Sequence, residues 1–383
     1  MDKPFIQPDM AIALSISGGT SIPGFYSHIK YFGGLESLMR QSDQTLLSQH
    51  GIGKSGLQKL RSSKQVDLQS ATKGMNQAGI VPLVHGHPGY PTALYEGVTD
   101  PPPVLFVKGC TDVFDGVGVA VVGTRRPSPY GERITRQIAA DLGRYPFIVI
   151  SGLATGIDGI AHQSCILAEG RTVAVLAHGL HTVHPSAHRP LAHSILNHGG
   201  ALIAEYPPGT QAQKHTFVPR NRIIAGLGAA TIIVEGGNKS GARHTSDFAL
   251  DYGRVVLAIP GRTTDPMSAL PNQLIREGRA EVCRDLADLL VSLPLHMDHG
   301  IRKAMDARVK ILSRKAEKVL KRLGSDAGIV FKQIGNDPLH VDQLCTATGL
   351  NTSVVLTIML QLEIEGIVEQ LPGMRYVSNL QTR

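Results

Sequence analysis

The sequence predicts an α/β protein: a mainly parallel sheet wrapped by helices, with a helical segment before it and a small helical module closed by a hairpin after it. Three observations predict this. Between about residues 76 and 295, short apolar runs rich in β-branched residues alternate with amphipathic stretches, the pattern of βαβ units. Glycine (42) and proline (23) are abundant, which favours many turns over long helices. The length, 383 residues, exceeds one typical domain and suits two or three.

The first part, residues 1–75, reads as a helical N-terminal domain, with apolar residues at helical spacing in Met10–Ile16 and Ile29–Met39. Within it, LLSQHGIGKSGLQKL (Leu46–Leu60) places a Gly-x-Gly turn between two apolar segments, the mark of a helix-hairpin-helix (SAM-like) element. Such a turn aims backbone N–H groups at a phosphate. A plain corner of a helical bundle accounts for it equally well. It is not a Walker A loop, because Ser48 stands where that loop needs glycine.

The second part, residues 76–295, carries apolar runs at Val117–Val122, Phe147–Ile150, Thr172–Leu176, Ala201–Ala204, Thr231–Val234 and Val255–Ile259. Helical stretches lie between them, at about Gly131–Leu142, Ile157–Ala168, Leu191–Asn197, Asn221–Leu227 and Thr245–Tyr252. Strands buried on both faces read this way, so a Rossmann-like core is expected, with its ligand edge at the carboxyl ends of the strands. Residues 296–323 form a basic linker: Arg302–Arg322 holds nine Lys/Arg against Asp306 and Glu317, the composition of a solvated helix. Residues 324–383 read as a winged helix, with a two-stranded wing turning at Pro372-Gly373.

Net charge is +7 and the isoelectric point about 9.2, which favours a polyanionic partner. Tryptophan is absent and aromatics are 5%, so any base-stacking surface has few rings to use. The four cysteines (Cys110, Cys165, Cys283 and Cys345) are far apart and form no C-x-x-C pair, as expected of reduced thiols. MDKPFIQPDM lacks a signal-like pattern, and no run reaches the ~18 apolar residues of a membrane span. A cytoplasmic protein without membrane contact is expected. His178, His181, His184, His188, His193 and His198 crowd one segment, but without carboxylate or thiolate partners at a recognised spacing. Neither a metal nor a cofactor is expected.

Four loops carry the chemistry, each after a strand. VAVVGTRRPSPYG brings Gly123, Thr124, Arg125, Arg126 and Ser128 to a helix start, an anion site of N–H groups, hydroxyls and guanidinium forks. SGLATGIDGIAH brings Ser151 and Gly152, with Asp158 and His162 at i, i+4 as a structural pair closing the loop. A catalytic pair is disfavoured because no nucleophile accompanies it. KHTFVPRNRIIAGL interleaves Lys214, Arg220 and Arg222 with Phe217 and Asn221, on a helix starting near Pro219. Cations with a ring between them suit a single nucleic-acid strand: the charges take phosphates and the ring stacks a base. EGGNKSGARHT adds Lys239 and Ser240, and it too fails the Walker pattern because Asn238 precedes the lysine.

Taken together, YPTALYEGVTDPPPVLFVKG, VAVVGTRRPSPYG, SGLATGIDGIAH, FVPRNRIIAGL, KSGARHT and AIPG followed by NQLI resemble the DNA-processing protein A (DprA/Smf) family. The resemblance is strongest from Tyr90 to about Val282. It implies single-stranded-DNA binding during natural transformation, loading of RecA recombinase onto that DNA, and a homodimer formed through the Rossmann-like domain. It carries DNA contacts over to Arg125, Lys214, Phe217, Arg220 and Arg222. It implies a pocket that holds phosphates and bases, with no catalytic residue. The chain departs from the family pattern in AHGLHTVHPSAH, where Ala177, His181, His184 and His188 replace Gly, Asp, Tyr and Asn, and in Leu270, which replaces a glycine.

Two other readings stand beside this one. A Rossmann-like nucleotide phosphoribohydrolase would need a carboxylate beside bound ribose phosphate, and Glu205 or Glu235 would supply it. A double-stranded-DNA regulator would act through the winged helix. Its second helix, however, within Asn351–Glu365, contains no Lys or Arg.

Overall fold

The computed structural model describes residues 6–21, 24–49, 52–293, 313, 316–335, 337–365 and 367–378. It divides into two compact units, Met1–Pro294 and Leu295–Arg383.

The larger unit opens with short helices: α1 (Pro8–Ser17), α2 (Phe25–Tyr31), α3 (Leu35–Arg40), α4 (Asp43–Gln49), α5 (Lys54–Ser62) and α6 (Leu68–Gln77). The apolar stretch Ile29–Met39 is two helices rather than one. Gly33 and Gly34 break it at φ of 75° and 142°, in backbone regions that side chains rarely enter. Helices α4 and α5 flank the expected helix-hairpin-helix turn, whose His50 and Gly51 lie outside the described residues. The helices do not close a core of their own. Ile12, Leu14, Leu38 and Leu60 join Phe106, Leu202 and Ala204 of the sheet in one buried cluster.

The sheet has nine strands in the order β1-β2-β6-β5-β4-β3-β7-β8-β9. They are β1 (Ile80–Val84), β2 (Val104–Gly109), β3 (Val117–Val122), β4 (Phe147–Ser151), β5 (Arg171–Leu176), β6 (Ala201–Ala204), β7 (Ala230–Ile233), β8 (Val255–Ala258) and β9 (Glu281–Val282). All pairs from β6 to β9 are parallel, whereas β1–β2 and β2–β6 are antiparallel. The intervening helices are α7 (Thr92–Tyr95), α8 (Pro129–Arg144), α9 (Ile157–Leu167), α10 (Arg189–Asn197), α11 (Lys214–Leu227), α12 (Ala242–Asp251) and α13 (Ala269–Arg276), with α14 (Leu286–Ser292) following β9. Helices α8, α9 and α10 pack in succession, while α11 packs with α12 and α7. Strand order reverses between β3 and β7. In such sheets the crevice outside the carboxyl ends at that reversal is where ligands sit.

Strands β1, β2 and β9 have no counterpart among the apolar runs expected as strands. Pro82 lies inside β1, and a proline is tolerated there because β1 is an edge strand, where one side makes no ladder bonds. Helix α11 starts at Lys214, five residues before the expected Pro219. Thr216 fixes that start: its hydroxyl donates to Gln213 O at 2.7 Å and accepts from Gln213 N at 3.4 Å.

In the second unit, residues 316–323 are helical and precede α15 (Ser325–Gln333), β10 (Leu339–His340), α16 (Val341–Thr348), α17 (Thr352–Ile364), β11 (Val368–Leu371) and β12 (Arg375–Ser378). The antiparallel order β10-β12-β11 is that of a wing. Ala316 and Val319, expected within a solvated linker, are buried in this unit's core. Within that linker, residues 296–312, 314 and 315 lie outside the described residues. No single helix among the described residues is long and apolar enough to cross a membrane.

Candidate nucleic-acid interface

The carboxyl edge of the parallel strands is stitched together before any ligand is considered. Thr124 N donates to Glu235 O at 2.8 Å, and Ile157 N donates to Thr124 O at 3.2 Å, tying the loops after β3, β7 and β4. Gly123 permits this closeness, since a Cβ there would lie 2.7 Å from Ile157 Cγ1 and 2.9 Å from Glu235 O.

The start of α8, expected to hold an external anion, already holds one. Ser128 N donates to Glu235 Oε2 at 2.9 Å and Ser128 Oγ to Oε1 at 2.5 Å. Glu235 is 1% exposed, and a Cβ on Gly131 would fall 2.1 Å from its carboxylate. The helix dipole and Ser128 therefore serve an internal carboxylate. Arg125 and Arg126 stay exposed beside it.

Phe217 stands next to Arg125, whose guanidinium lies 5.4 Å from the ring centroid. The His184 ring meets Phe217 edge-on at 6.1 Å, and His178 follows His184 at 6.4 Å. Lys214 is exposed one helical turn before Phe217. An exposed cation over a half-buried ring, with a second cation one turn away, can pair with phosphate and stack a base. His184, expected only as one of a histidine cluster and as a departure from the family pattern, stands beside the ring. Its signal was its place in a loop leaving the carboxyl end of a parallel strand, where ligand residues collect.

Arg220 and Arg222 of the same helix do not join this surface. Arg220 is 4% exposed. It donates to Gly152 O at 2.9 Å, to Val175 O, and through Nε to Asn221 Oδ1 at 3.2 Å. Burial lowers its pKa to about 10, with Asp158 working against that drop. Asp158 in turn accepts from Gly152 N at 3.1 Å and Ala154 N at 3.4 Å. Burial pushes the Asp158 carboxyl up, although Arg220 and these N–H groups pull it down. Gly152 makes the pairing possible: a Cβ would sit 2.6 Å from the Arg220 guanidinium. Arg222 turns to the other side of α11, pairing with Glu205 at 2.5 Å and Asp100 at 3.1 Å. Tyr252 donates to the same Asp100 at 2.5 Å. Burying these cations is costly only without partners, and the fold supplies partners that the sequence did not announce.

The remaining expected residues divide similarly. Ser151 is buried, its hydroxyl donating to Val121 O at 2.7 Å. His162 does not pair with Asp158 but meets Thr172 Oγ1 at 2.7 Å, so Asp158 alone closes the loop. Lys239 is exposed, and Ser240 Oγ accepts from Ala242 N at 3.3 Å at the start of α12. Asn221 reaches that loop by donating to Gly241 O at 3.4 Å, one turn along α11 from Phe217. The crowded histidines are dispersed by their bonds: His178 to Gly179 O, His188 to Leu153 O, His198 to Ser194 O, and His181 accepting from Gly209 N. Among the described residues no group of three or more His, Cys, Asp or Glu is placed to hold a metal.

Comparison with known proteins matches residues 82–294 to the model of DNA recombination-mediator protein A, and residues 311–374 to that of the DprA winged helix domain. Protein Smf of Synechocystis is 36% identical over 318 residues, covering 77% of this chain and 79% of that protein. The X-ray structure of DNA processing protein A from Streptococcus pneumoniae superposes with a TM-score of 0.64 at 29% identity, over 76% of this chain and all of that one. A structure of DNA processing protein A from Helicobacter pylori, described for its single-stranded DNA binding mode, gives 0.50 at 26%, over 55% of this chain and 93% of that one.

Proposed function

The chain belongs to the DNA-processing protein A (DprA/Smf) family, and from that premise we propose that it binds single-stranded DNA through the carboxyl edge of its sheet without altering it chemically. The observation that carries this reading is the exposed Arg125 guanidinium over the Phe217 ring. Lys214, Arg126 and Lys239 supply further exposed charge on the same family of loops, with Thr124 and Ser240 as hydroxyls. Arg220, Asn221, Ser151 and Gly152 support the site from behind. Arg220 ties α11 to Gly152 O after β4 and to Val175 O within β5, Asn221 ties it to Gly241 O after β7, and Ser151 ties the end of β4 to Val121 O of β3.

The wider role follows the family: protection of incoming single strands in the cytoplasm during transformation, hand-over to RecA recombinase, and action as a homodimer through the Rossmann-like domain. The phosphoribohydrolase reading loses its carboxylates. Glu205 is committed to Arg222, and Glu235 to Ser128 and the start of α8.

Titration of labelled single- and double-stranded oligonucleotides across a salt series tests the proposal. Tighter binding of the single strand is expected, with affinity falling by a log–log slope of about −0.7 per phosphate neutralised. Equal affinity for a duplex of the same length would overturn it.

A further inference from the structure

A cavity of about 660 Å³ is lined by Arg125 and by residues of α8, α9 and α10. Its size lies within the ~300–1,000 Å³ of small-ligand sites. Apolar side chains form part of the wall, Ile160 and Leu191 among them, and Leu167 at its edge is 77% exposed. Its charged side chains come from the loop after β3 and from α8, while Gln163, His188 and Ser194 add polar groups on the other walls. Arg125 and Arg136 line it, and Glu132 brings the opposing charge. That acid meets Arg136 at 3.4 Å across one turn on the solvent face of α8, a contact worth little and easily exchanged for a stronger anion. His188 is fixed in the wall: it bonds Leu153 O at 2.9 Å, and its ring lies where a Cβ on Gly159 would come within 2.7 Å. Glycine at 159 therefore lets the imidazole close onto α9.

We infer that this groove is a second nucleotide site, into which a strand stacked on Phe217 continues past Arg125. Arg125 and Arg136 take phosphate oxygens, and the following base lies against Ile160 and Leu191. The inference rests on the single-strand reading above and extends it to Arg136 and Leu191, which lie outside the motifs that pointed to the first site. Arg125 joins the two sites, because it both covers the Phe217 ring and lines the groove. Two arginines against one weakly held acid favour a polyanion with apolar faces over an acidic or purely apolar ligand.

The test uses the full chain with an oligothymidine carrying 5-iodouracil, cross-linked by ultraviolet light and mapped by peptide mass spectrometry. Adducts are expected in two places, around Phe217 and in the segments Ile160–Leu167 or Ala187–Ser194. Adducts around Phe217 alone overturn the second site and leave the first standing. Tight binding with adducts at neither place overturns both. In parallel, Arg136→Glu, a surface change whose folding is checked by circular dichroism, should weaken binding of an oligonucleotide of about 12 residues roughly tenfold and flatten the salt slope by about 0.7. Unchanged affinity and slope overturn the inference. So does a fall in oligomer size without groove adducts, which would assign the groove to a protein contact.

Discussion

Lys214, Phe217, Arg220 and Arg222 share one helix, yet the fold gives them different work. The exposed cations can release counterions on meeting phosphate, and the ring cannot. Arg125→Ala and Lys214→Ala should therefore each weaken single-strand binding and flatten the salt slope by about 0.7. Phe217→Ala should cost ~1–3 kcal/mol of stacking with the slope kept. A salt series on the three variants checks this, and identical slopes throughout would refute the division. Arg222 is 12% exposed and faces Glu205 and Asp100, so its removal strands the largely buried Glu205, while Asp100 keeps Tyr252 and solvent. Arg222→Ala should lower unfolding free energy by about 3 kcal/mol in urea titration. Under conditions where the variant is folded, its DNA salt slope should match that of the parent. A lost slope with unchanged stability would return Arg222 to the DNA surface.

At the scale of elements, α9 carries a pH dependence of stability. His162 is fully buried and meets Thr172 Oγ1, whose own hydrogen goes to Val149 O at 2.6 Å. Thr172 must therefore accept from His162 Nδ1–H, which leaves Nε2 as a buried atom without a partner among the described residues. Burial, with the nearby charges of His188 and Arg220, lowers the His162 pKa from 6.5 to about 3. The unfolded chain then binds the extra proton first as pH falls below 6.5, so stability is full above that value and declines towards about 3. Urea midpoints compared between about pH 7 and 5, above most carboxylate titration, should fall for the parent and fall less for His162→Gln. Equal declines would locate the effect elsewhere. The elements themselves were unequally legible. Runs such as Val117–Val122 are buried on both faces, so their composition alone marks them as inner parallel strands. Strand β1 was hidden by Pro82, which reads as a break unless the edge position is known. Helix α11 was misplaced because Pro219 resembles a first-turn proline and Gln213 is not among the favoured capping residues. The candidate site shows the same limit. Glycine loops and the residue types near them can be read locally. That Arg220 would meet Gly152 O and Arg222 would meet Glu205 depends on sheet order, which no local pattern encodes.

At the scale of the whole molecule, charge and burial distinguish the two units. The second unit's helix α17 carries no Lys or Arg and exposes Leu360 and Ile364 at i, i+4, at 56% and 75%. A helix that reads a duplex needs cations for phosphates and guanine edges, and this one would meet the backbone with Glu363 and an apolar stripe. From residue 324 onwards the chain offers Lys332, Arg375 and Arg383 against Asp326, Asp337, Asp342, Glu363, Glu365 and Glu369. Arg322 at the edge of this module is already paired with Glu365 at 2.8 Å. Such a surface suits a protein partner better than a phosphate backbone. The truncation that tests this must respect where the module begins. A cut at 324 would strip the cover from Ala316 and Val319, which belong to its core. A chain ending after residue 310 removes that helix with the module and keeps Arg302, Lys303, Arg308 and Lys310. Its single-strand affinity should stay within about threefold of the full chain, a change of ~0.7 kcal/mol that a peripheral contact plausibly contributes. A hundredfold loss in a truncated chain that keeps its circular dichroism and cooperative unfolding would place a principal DNA contact in the second unit.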